Sequence, residues 1–145
     1  MRPKLKVLFL CTGNSCRSQM AEGFARHLLN KCIEPYSAGV LKHVVDPFAI
    51  KVMQEEGIDI SNHFSKTIDE LKNKKFDYII TLCDHAKETC PYFPGKTIHY
   101  SFPDPPSLSA QTQNIEEALT IYRDVRDRIK LFVLSLPNIL LKAES

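Results

Sequence analysis

The strongest constraint on the fold is a strand, a polar turn and a helix that follow one another near the start of the chain. Residues 4–10 form a short apolar run with β-type residues, which is typical of a buried strand. A polar turn cluster follows it, and residues 18–30 then carry apolar side chains at helical spacing. Because a buried strand leads directly into an amphipathic helix, this segment favours an α/β protein.

The rest of the chain repeats this alternation. Further strands are predicted at 34–38, 76–82 and 97–101, and helices at 46–56, 67–72 and 114–136. Asp46 and Pro47 have the residue types of a helix N-cap and first turn, and Pro137 is expected to end the last helix. We therefore predict one α/β domain over residues 1–145, with a four-stranded parallel sheet flanked by helices on both faces.

Charge and hydropathy exclude several classes of protein. The net charge of +2 over 145 residues is too small to indicate electrostatic binding to nucleic acid or to a membrane surface. The apolar run after the basic start is too short for a signal peptide, and no stretch reaches the roughly 18 apolar residues of a membrane span. We expect a cytoplasmic monomer, whose five cysteines are then core residues, metal ligands or catalysts.

The turn cluster after the first strand is the candidate oxyanion site. Its backbone N–H groups lie between a strand and a helix, where they can converge on a tetrahedral anion. Gly13 and Asn14 tolerate left-handed backbone, and Arg17 can donate two hydrogen bonds to one anion. The helix dipole and Arg17 favour a reactive thiolate at Cys11, to which Ser18 can donate a hydrogen bond. The oxyanion-binding residues are Thr12, Gly13, Asn14, Ser15, Cys16, Arg17 and Ser18.

A second cysteine pair follows the strand predicted at 76–82. The carboxyl ends of parallel strands meet at one edge of a sheet, so Cys11 and Cys83 can share a crevice although 72 positions separate them. Cys90 lies further along, with six residues between it and Cys83. A structural zinc site is the alternative interpretation of these thiols, but their spacing is poor for that metal.

The motif CTGNSCRSQMAEG at residues 11–23 resembles the low-molecular-weight tyrosine phosphatase superfamily, and within it the arsenate reductases coupled to thioredoxin. The likeness extends from Val7 to about Pro105. It implies that arsenate, with phosphate or sulfate as a mimic, is attacked by Cys11. Cys83 and then Cys90 would carry the resulting disulfide to thioredoxin, and no cofactor would be needed.

Two further features gain a role from this resemblance. Asp104 would be the general acid that protonates the departing oxygen, although Pro103 stands where family members often have Asp. Pro106 replaces a tyrosine that tyrosine phosphatases use to hold aromatic substrates, which argues against a phosphotyrosine substrate.

Some related reductases bind potassium behind the loop. Asn14, Glu22 and Ser37 match residues of that site, whereas Lys66 stands where Asp is frequent. We expect the ammonium group of Lys66 to take the place of the ion, so that the protein needs no metal.

Two alternatives remain open at this stage. The chain could be a phosphomonoester hydrolase of the phosphatase branch, in which Cys83 would be dispensable. The electron donor could also be glutaredoxin with glutathione, or mycothiol, although a relay of three cysteines favours thioredoxin.

Overall fold

The computed structural model describes residues 4–71, 73–83 and 96–144 and contains a parallel sheet packed with helices. The strands are β1 (Leu5–Cys11), β2 (Ile33–Gly39), β3 (Tyr78–Thr81) and β4 (Lys96–His99). The helices are α1 (Arg17–Leu28), α2 (Pro47–Glu55), α3 (Pro105–Ser109) and α4 (Ile115–Glu144), with a 3₁₀ helix at Ile68–Leu71. The sheet order is β2-β1-β3-β4 and every pair is parallel, so the predicted four-stranded parallel sheet is confirmed.

Strand β1 occupies an inner position and is buried on both faces, which explains its uninterrupted apolar sequence. Val7 and Phe9 point into the larger core cluster beneath α1, α2 and α4. Leu8 and Leu10 point the other way, towards a smaller cluster that includes the 3₁₀ helix. All four side chains are fully buried, so β1 holds the following loop on a rigid support.

Parallel pairing brings the ends of β1 and β3 to the same edge of the sheet. Leu10 pairs with Thr81 in the register of the two strands. Cys11 is the last residue of β1, and Cys83 follows β3 by two residues. The two cysteines therefore reach one edge, as the alternation of strands and helices predicted.

Helix α2 begins and ends as predicted. The Asp46 carboxylate accepts a hydrogen bond from the Phe48 N–H, and Pro47 occupies the first turn. Gly57, just after the helix, adopts a left-handed φ of 77°. These local signals set the two ends of the helix, because each satisfies or terminates it next to the residues that carry the signal.

The prediction that Pro137 ends the last helix is wrong. Helix α4 continues through Pro137 to Glu144. A proline within a helix costs about 3 kcal/mol, but burial of Leu140 contributes about 1.5–3 kcal/mol and packing of Ile139 adds to it. The apolar stripe thus continues past the proline and offsets the lost hydrogen bond. Despite its 30 residues, α4 is too polar to cross a membrane, and the other described helices are unsuited as well.

Asp104 stands where the chain enters a short helix. Asp104 is the N-cap residue of α3, and Pro105 occupies its first turn. Proline is favoured there because its fixed φ suits the helix and its missing N–H would have no partner. Asp104 is therefore held by a defined helix start beside the loop.

Candidate active site

The loop from Thr12 to Ser18 takes its shape from Asn14. This buried residue has a φ of 50°, in the left-handed region, whereas Gly13 has no positive φ. The Asn14 Oδ1 accepts hydrogen bonds from the Lys66 N–H at 2.9 Å and from the Gln19 Nε2 at 3.0 Å. Of the two residues predicted to tolerate this conformation, Asn14 alone adopts it, and its amide fixes the turn through side-chain bonds.

Gly39, at the end of β2, permits the loop to pack against the sheet. A Cβ atom there would lie 2.6 Å from the Asn14 backbone N and 2.8 Å from the Gly13 carbonyl C. Both contacts are with backbone, which cannot move aside as a flexible side chain can. Gly39 was not among the predicted site residues; its signal in the sequence is a glycine that ends the strand beside β1.

Cys11 receives a hydrogen bond from Ser18. The Ser18 Oγ lies 2.9 Å from the Cys11 Sγ and also accepts a hydrogen bond from the Asn14 Nδ2 at 2.8 Å. The orientation of the Asn14 amide is set by the Lys66 N–H, which can only donate. The Ser18 hydroxyl is the donor when Cys11 is a thiolate, because a thiolate sulfur can only accept. The predicted contact between Ser18 and Cys11 is present.

Arg17 and Asp104 meet across the mouth of the loop. The Arg17 Nη2 lies 3.3 Å from the Asp104 Oδ1, and the Nη1 donates to the Phe102 carbonyl at 2.9 Å. Arg17 is buried, whereas Asp104 is 38% exposed and also accepts a hydrogen bond from the Ser107 hydroxyl. The structure thus brings together a cation, a carboxyl group in contact with solvent, and the thiol of Cys11.

Cys83 contacts the same loop from the other side. Its Sγ lies 3.2 Å from the Thr12 Oγ1, and the side chain is buried. Cys11 and Cys83 both belong to the smaller apolar cluster of the sheet. Of the three predicted relay thiols, two are therefore adjacent to the loop. Cys90 lies outside the described residues.

An open cleft of about 620 Å³ lies over the loop. Its described lining contains no aromatic ring apart from the imidazole of His43, and Pro106 forms part of the wall. The remaining lining residues are Cys11, Thr12, Gly13, Ser15, Cys16, Arg17, Lys42, Val44, Asp46, Pro47 and Asp104. Asp46, Lys42 and His43 were not predicted as site residues, because loops far from the motif bring them there.

Cys16 differs from Cys11 in its surroundings. It is the N-cap residue of α1, and its side chain makes no capping hydrogen bond. Burial, followed by the negative charge of Asp46, raises the pKa of the Cys16 thiol well above its ordinary value. Cys16 is accordingly a neutral thiol near pH 7.

The residues behind the loop form a closed polar network. The Glu22 carboxylate accepts hydrogen bonds from the Ser37 hydroxyl at 2.5 Å and from the Arg26 guanidinium at 2.8 Å. The Lys66 Nζ donates to the Phe64 carbonyl at 3.3 Å. Burial lowers the pKa of Lys66, and the charge of Glu22 partly opposes this shift. The expectation that Lys66 replaces a potassium ion stays a prediction.

A loop between a strand and a helix, with a cysteine at its start, an arginine at its end and an aspartate opposite, has the arrangement that a cysteine-dependent site for tetrahedral oxyanions requires. Residues 6–140 match the family described as low molecular weight phosphotyrosine protein phosphatase. The chain belongs to this family.

Related proteins refine the comparison. The arsenate reductase of Halalkalibacterium halodurans is 45% identical over 128 residues, which cover 87% of this chain and 90% of the relative. The solved structure of an arsenate reductase in the phosphate-binding state superimposes with a TM-score of 0.73 and 35% identity, covering 91% of this chain and 95% of the other. A thioredoxin-dependent arsenate reductase of Corynebacterium glutamicum has a TM-score of 0.65 and 27% identity, and the match covers 93% of this chain and 63% of that one.

Proposed function

We propose that this protein reduces arsenate to arsenite and that Cys11, Cys83 and Cys90 act in sequence as its redox thiols. The observation that carries the proposal is that one loop contacts two thiols. The Ser18 hydroxyl lies 2.9 Å from the Cys11 sulfur, and the Thr12 hydroxyl lies 3.2 Å from the Cys83 sulfur. A hydrolase uses the first contact, whereas the second places a polar group beside a second thiol, which a relay through Cys83 requires.

The first step is attack of the Cys11 thiolate on arsenic. The As–S bond forms and an As–O bond breaks, while the departing oxygen takes a proton from Asp104 and leaves as water. Arg17 lies at the end of the loop and 3.3 Å from the Asp104 carboxyl group, so it would hold the anion next to the general acid.

The second step transfers the electrons. The Cys83 thiolate attacks the Cys11 sulfur, the S–S bond forms and the S–As bond breaks with its electron pair remaining on arsenic. Arsenic is thereby reduced from As(V) to As(III) and leaves as arsenite, while two thiols are oxidised to a disulfide. The Thr12 hydroxyl stabilises the Cys83 thiolate for this attack.

The third step returns Cys11 to the thiolate. Cys90 attacks Cys83, which releases Cys11 and leaves a Cys83–Cys90 disulfide for an external dithiol such as thioredoxin. This donor is supported by the thioredoxin-dependent relative and by the relay of three cysteines. The thiols must be reduced at rest, which agrees with a reducing compartment such as the cytoplasm.

A single turnover tests the proposal. The reduced protein is mixed with one equivalent of arsenate, and arsenite is separated and quantified. We expect about one equivalent of arsenite from the wild type and almost none from Cys83→Ser, while both hydrolyse an aryl phosphate. Cys32→Ser is the matched control, because Cys32 is exposed and lies away from the cleft.

A phosphatase activity is the second candidate function, and the family to which the chain belongs supports it. The loop, Arg17 and Asp104 suffice for that reaction, because phosphate has the same shape and charge as arsenate. If the wild type forms no arsenite but hydrolyses phosphomonoesters, the phosphatase is the correct function.

A further inference from the structure

Cys16 presents a difficulty for the proposed chemistry. It lies five positions after Cys11, lines the same cleft and stands at the N-cap of the twelve-residue helix α1. A helix N-terminus stabilises a thiolate, and Arg17 acts in the same direction. An ionised Cys16 would be a second nucleophile beside Cys11.

Attack by Cys16 would satisfy the same electron balance as attack by Cys83. The Cys16 sulfur would bond to the Cys11 sulfur, the S–As bond would break, and arsenite would leave with the electron pair. The disulfide would then lie within the loop, so the oxyanion site itself would be cross-linked. If Cys83 is to be the thiol that attacks Cys11, Cys16 must be kept from attacking first.

Asp46 lies next to the loop that contains Cys16, where its negative charge opposes formation of the Cys16 thiolate. Its N–H donates to the Ser15 carbonyl at 2.9 Å, which attaches the start of α2 to the residue before Cys16. Its carboxylate accepts hydrogen bonds from the Phe48 N–H at 2.9 Å and from the Tyr122 hydroxyl at 2.5 Å. Tyr122 is buried, so α4 fixes the carboxylate from below.

We propose that the Asp46 carboxylate, which the bond to Ser15 places next to the loop, disfavours ionisation of Cys16 and so leaves Cys83 as the thiol that attacks Cys11. This rests on the proposed function. The charged or titratable groups that line the cleft with Cys16 are Cys11, Arg17, Lys42, His43, Asp46 and Asp104. Burial opposes the Cys16 thiolate most strongly and the charge of Asp46 comes next, whereas Arg17 favours the thiolate.

The first experiment measures Cys16 alone. In a variant that retains Cys16 as its single cysteine, the rate of alkylation by iodoacetamide is followed against pH. Asp46→Asn keeps an N-cap residue and an oxygen acceptor for Tyr122 but removes the charge. We expect it to lower the pH midpoint of alkylation by about one unit. Asp46→Ser, which also has a neutral N-cap residue, should lower the midpoint by a similar amount.

The variant Tyr122→Phe distinguishes the effect of the Asp46 charge from the effect of the hydrogen bond that Tyr122 donates to Asp46. It removes the hydroxyl that donates to Asp46 but leaves the carboxylate charge in the protein. If the charge is responsible, the midpoint falls in Asp46→Asn and stays high in Tyr122→Phe. An unchanged midpoint in Asp46→Asn, or an equal fall in both variants, overturns the proposal. Asp59→Asn, which changes an exposed carboxylate elsewhere, corrects for the altered net charge.

The second experiment measures the choice between the thiols. Cys83→Ser is treated with one equivalent of arsenate near pH 7, and the Cys11–Cys16 disulfide is quantified by peptide mapping. Adding Asp46→Asn should raise its yield or rate about five- to tenfold. A lowered midpoint with no added disulfide overturns the proposal. Absence of arsenite from the wild type itself would contradict the proposed function and leave the midpoint result standing.

Discussion

The Ser18 hydroxyl lies 2.9 Å from the Cys11 sulfur, where it can donate its proton to the Cys11 thiolate while its oxygen accepts from Asn14. This pair joins the rigid end of β1 to the first turn of α1. A hydrogen bond to a charged group is worth about 1.5–3 kcal/mol. Ser18 therefore supports Cys11 both in its attack and in its departure as a leaving group.

Ser18→Ala should slow the first half of the reaction. Removing the donor destabilises the thiolate by the amount above, which corresponds to about a 10- to 100-fold loss in rate. The measurement is the rate of arsenite release in a single turnover, with aryl-phosphate hydrolysis measured in parallel, and both should fall. Ser61→Ala, at an exposed position, is the control. Equal rates in wild type and Ser18→Ala would contradict this role.

Thr12→Val should act on the second step instead. Valine has nearly the shape of threonine but cannot donate to the Cys83 sulfur, which lies 3.2 Å from the hydroxyl. Arsenite release should fall about tenfold or more, whereas aryl-phosphate hydrolysis, which does not use Cys83, should change much less. Thr12→Ser keeps the hydroxyl and should restore most of the rate. If both activities fall together, the hydroxyl serves the loop and not Cys83.

Gly39→Ala should damage stability and anion binding together. The added Cβ would meet the loop backbone at 2.6–2.8 Å, an overpacking that costs about 1–3 kcal/mol and displaces Gly13 and Asn14. Urea unfolding gives the loss in free energy, and sulfate titration gives the loss in affinity.

Gly57→Ala provides the matched glycine control. No heavy atom lies within 4 Å of its added Cβ, but its φ of 77° makes alanine unfavourable by about 1 kcal/mol. Gly57→Ala should therefore lose stability and keep its affinity for sulfate. If Gly39→Ala binds sulfate as well as Gly57→Ala does, the close approach at Gly39 is not required for the loop.

Local patterns predicted much of the fold and the chemical centre of the site. The strand, turn and helix around Cys11 follow from adjacent residues, as do the N-cap at Asp46 and the stop at Gly57. Parallel topology then placed Cys83 at the same edge as Cys11. These features needed only spacing and residue type.

The remaining features arise from contacts between distant segments. The close approach at Gly39, the support of Asp46 by Tyr122 and the pairing of Arg17 with Asp104 exist only once the chain has folded. The continuation of α4 through Pro137 likewise depends on a core that local propensity does not describe. At Pro137 the burial of the following apolar residues outweighs the tendency of proline to end a helix.

The most direct test of the relay couples the purified protein to thioredoxin, thioredoxin reductase and NADPH in the presence of arsenate. The proposed mechanism predicts sustained, arsenate-dependent consumption of NADPH by the wild type and by Cys32→Ser. It predicts loss of that consumption in both Cys83→Ser and Cys90→Ser, with aryl-phosphate hydrolysis retained. Sustained consumption in either of these two variants, or none in the wild type, would contradict the relay.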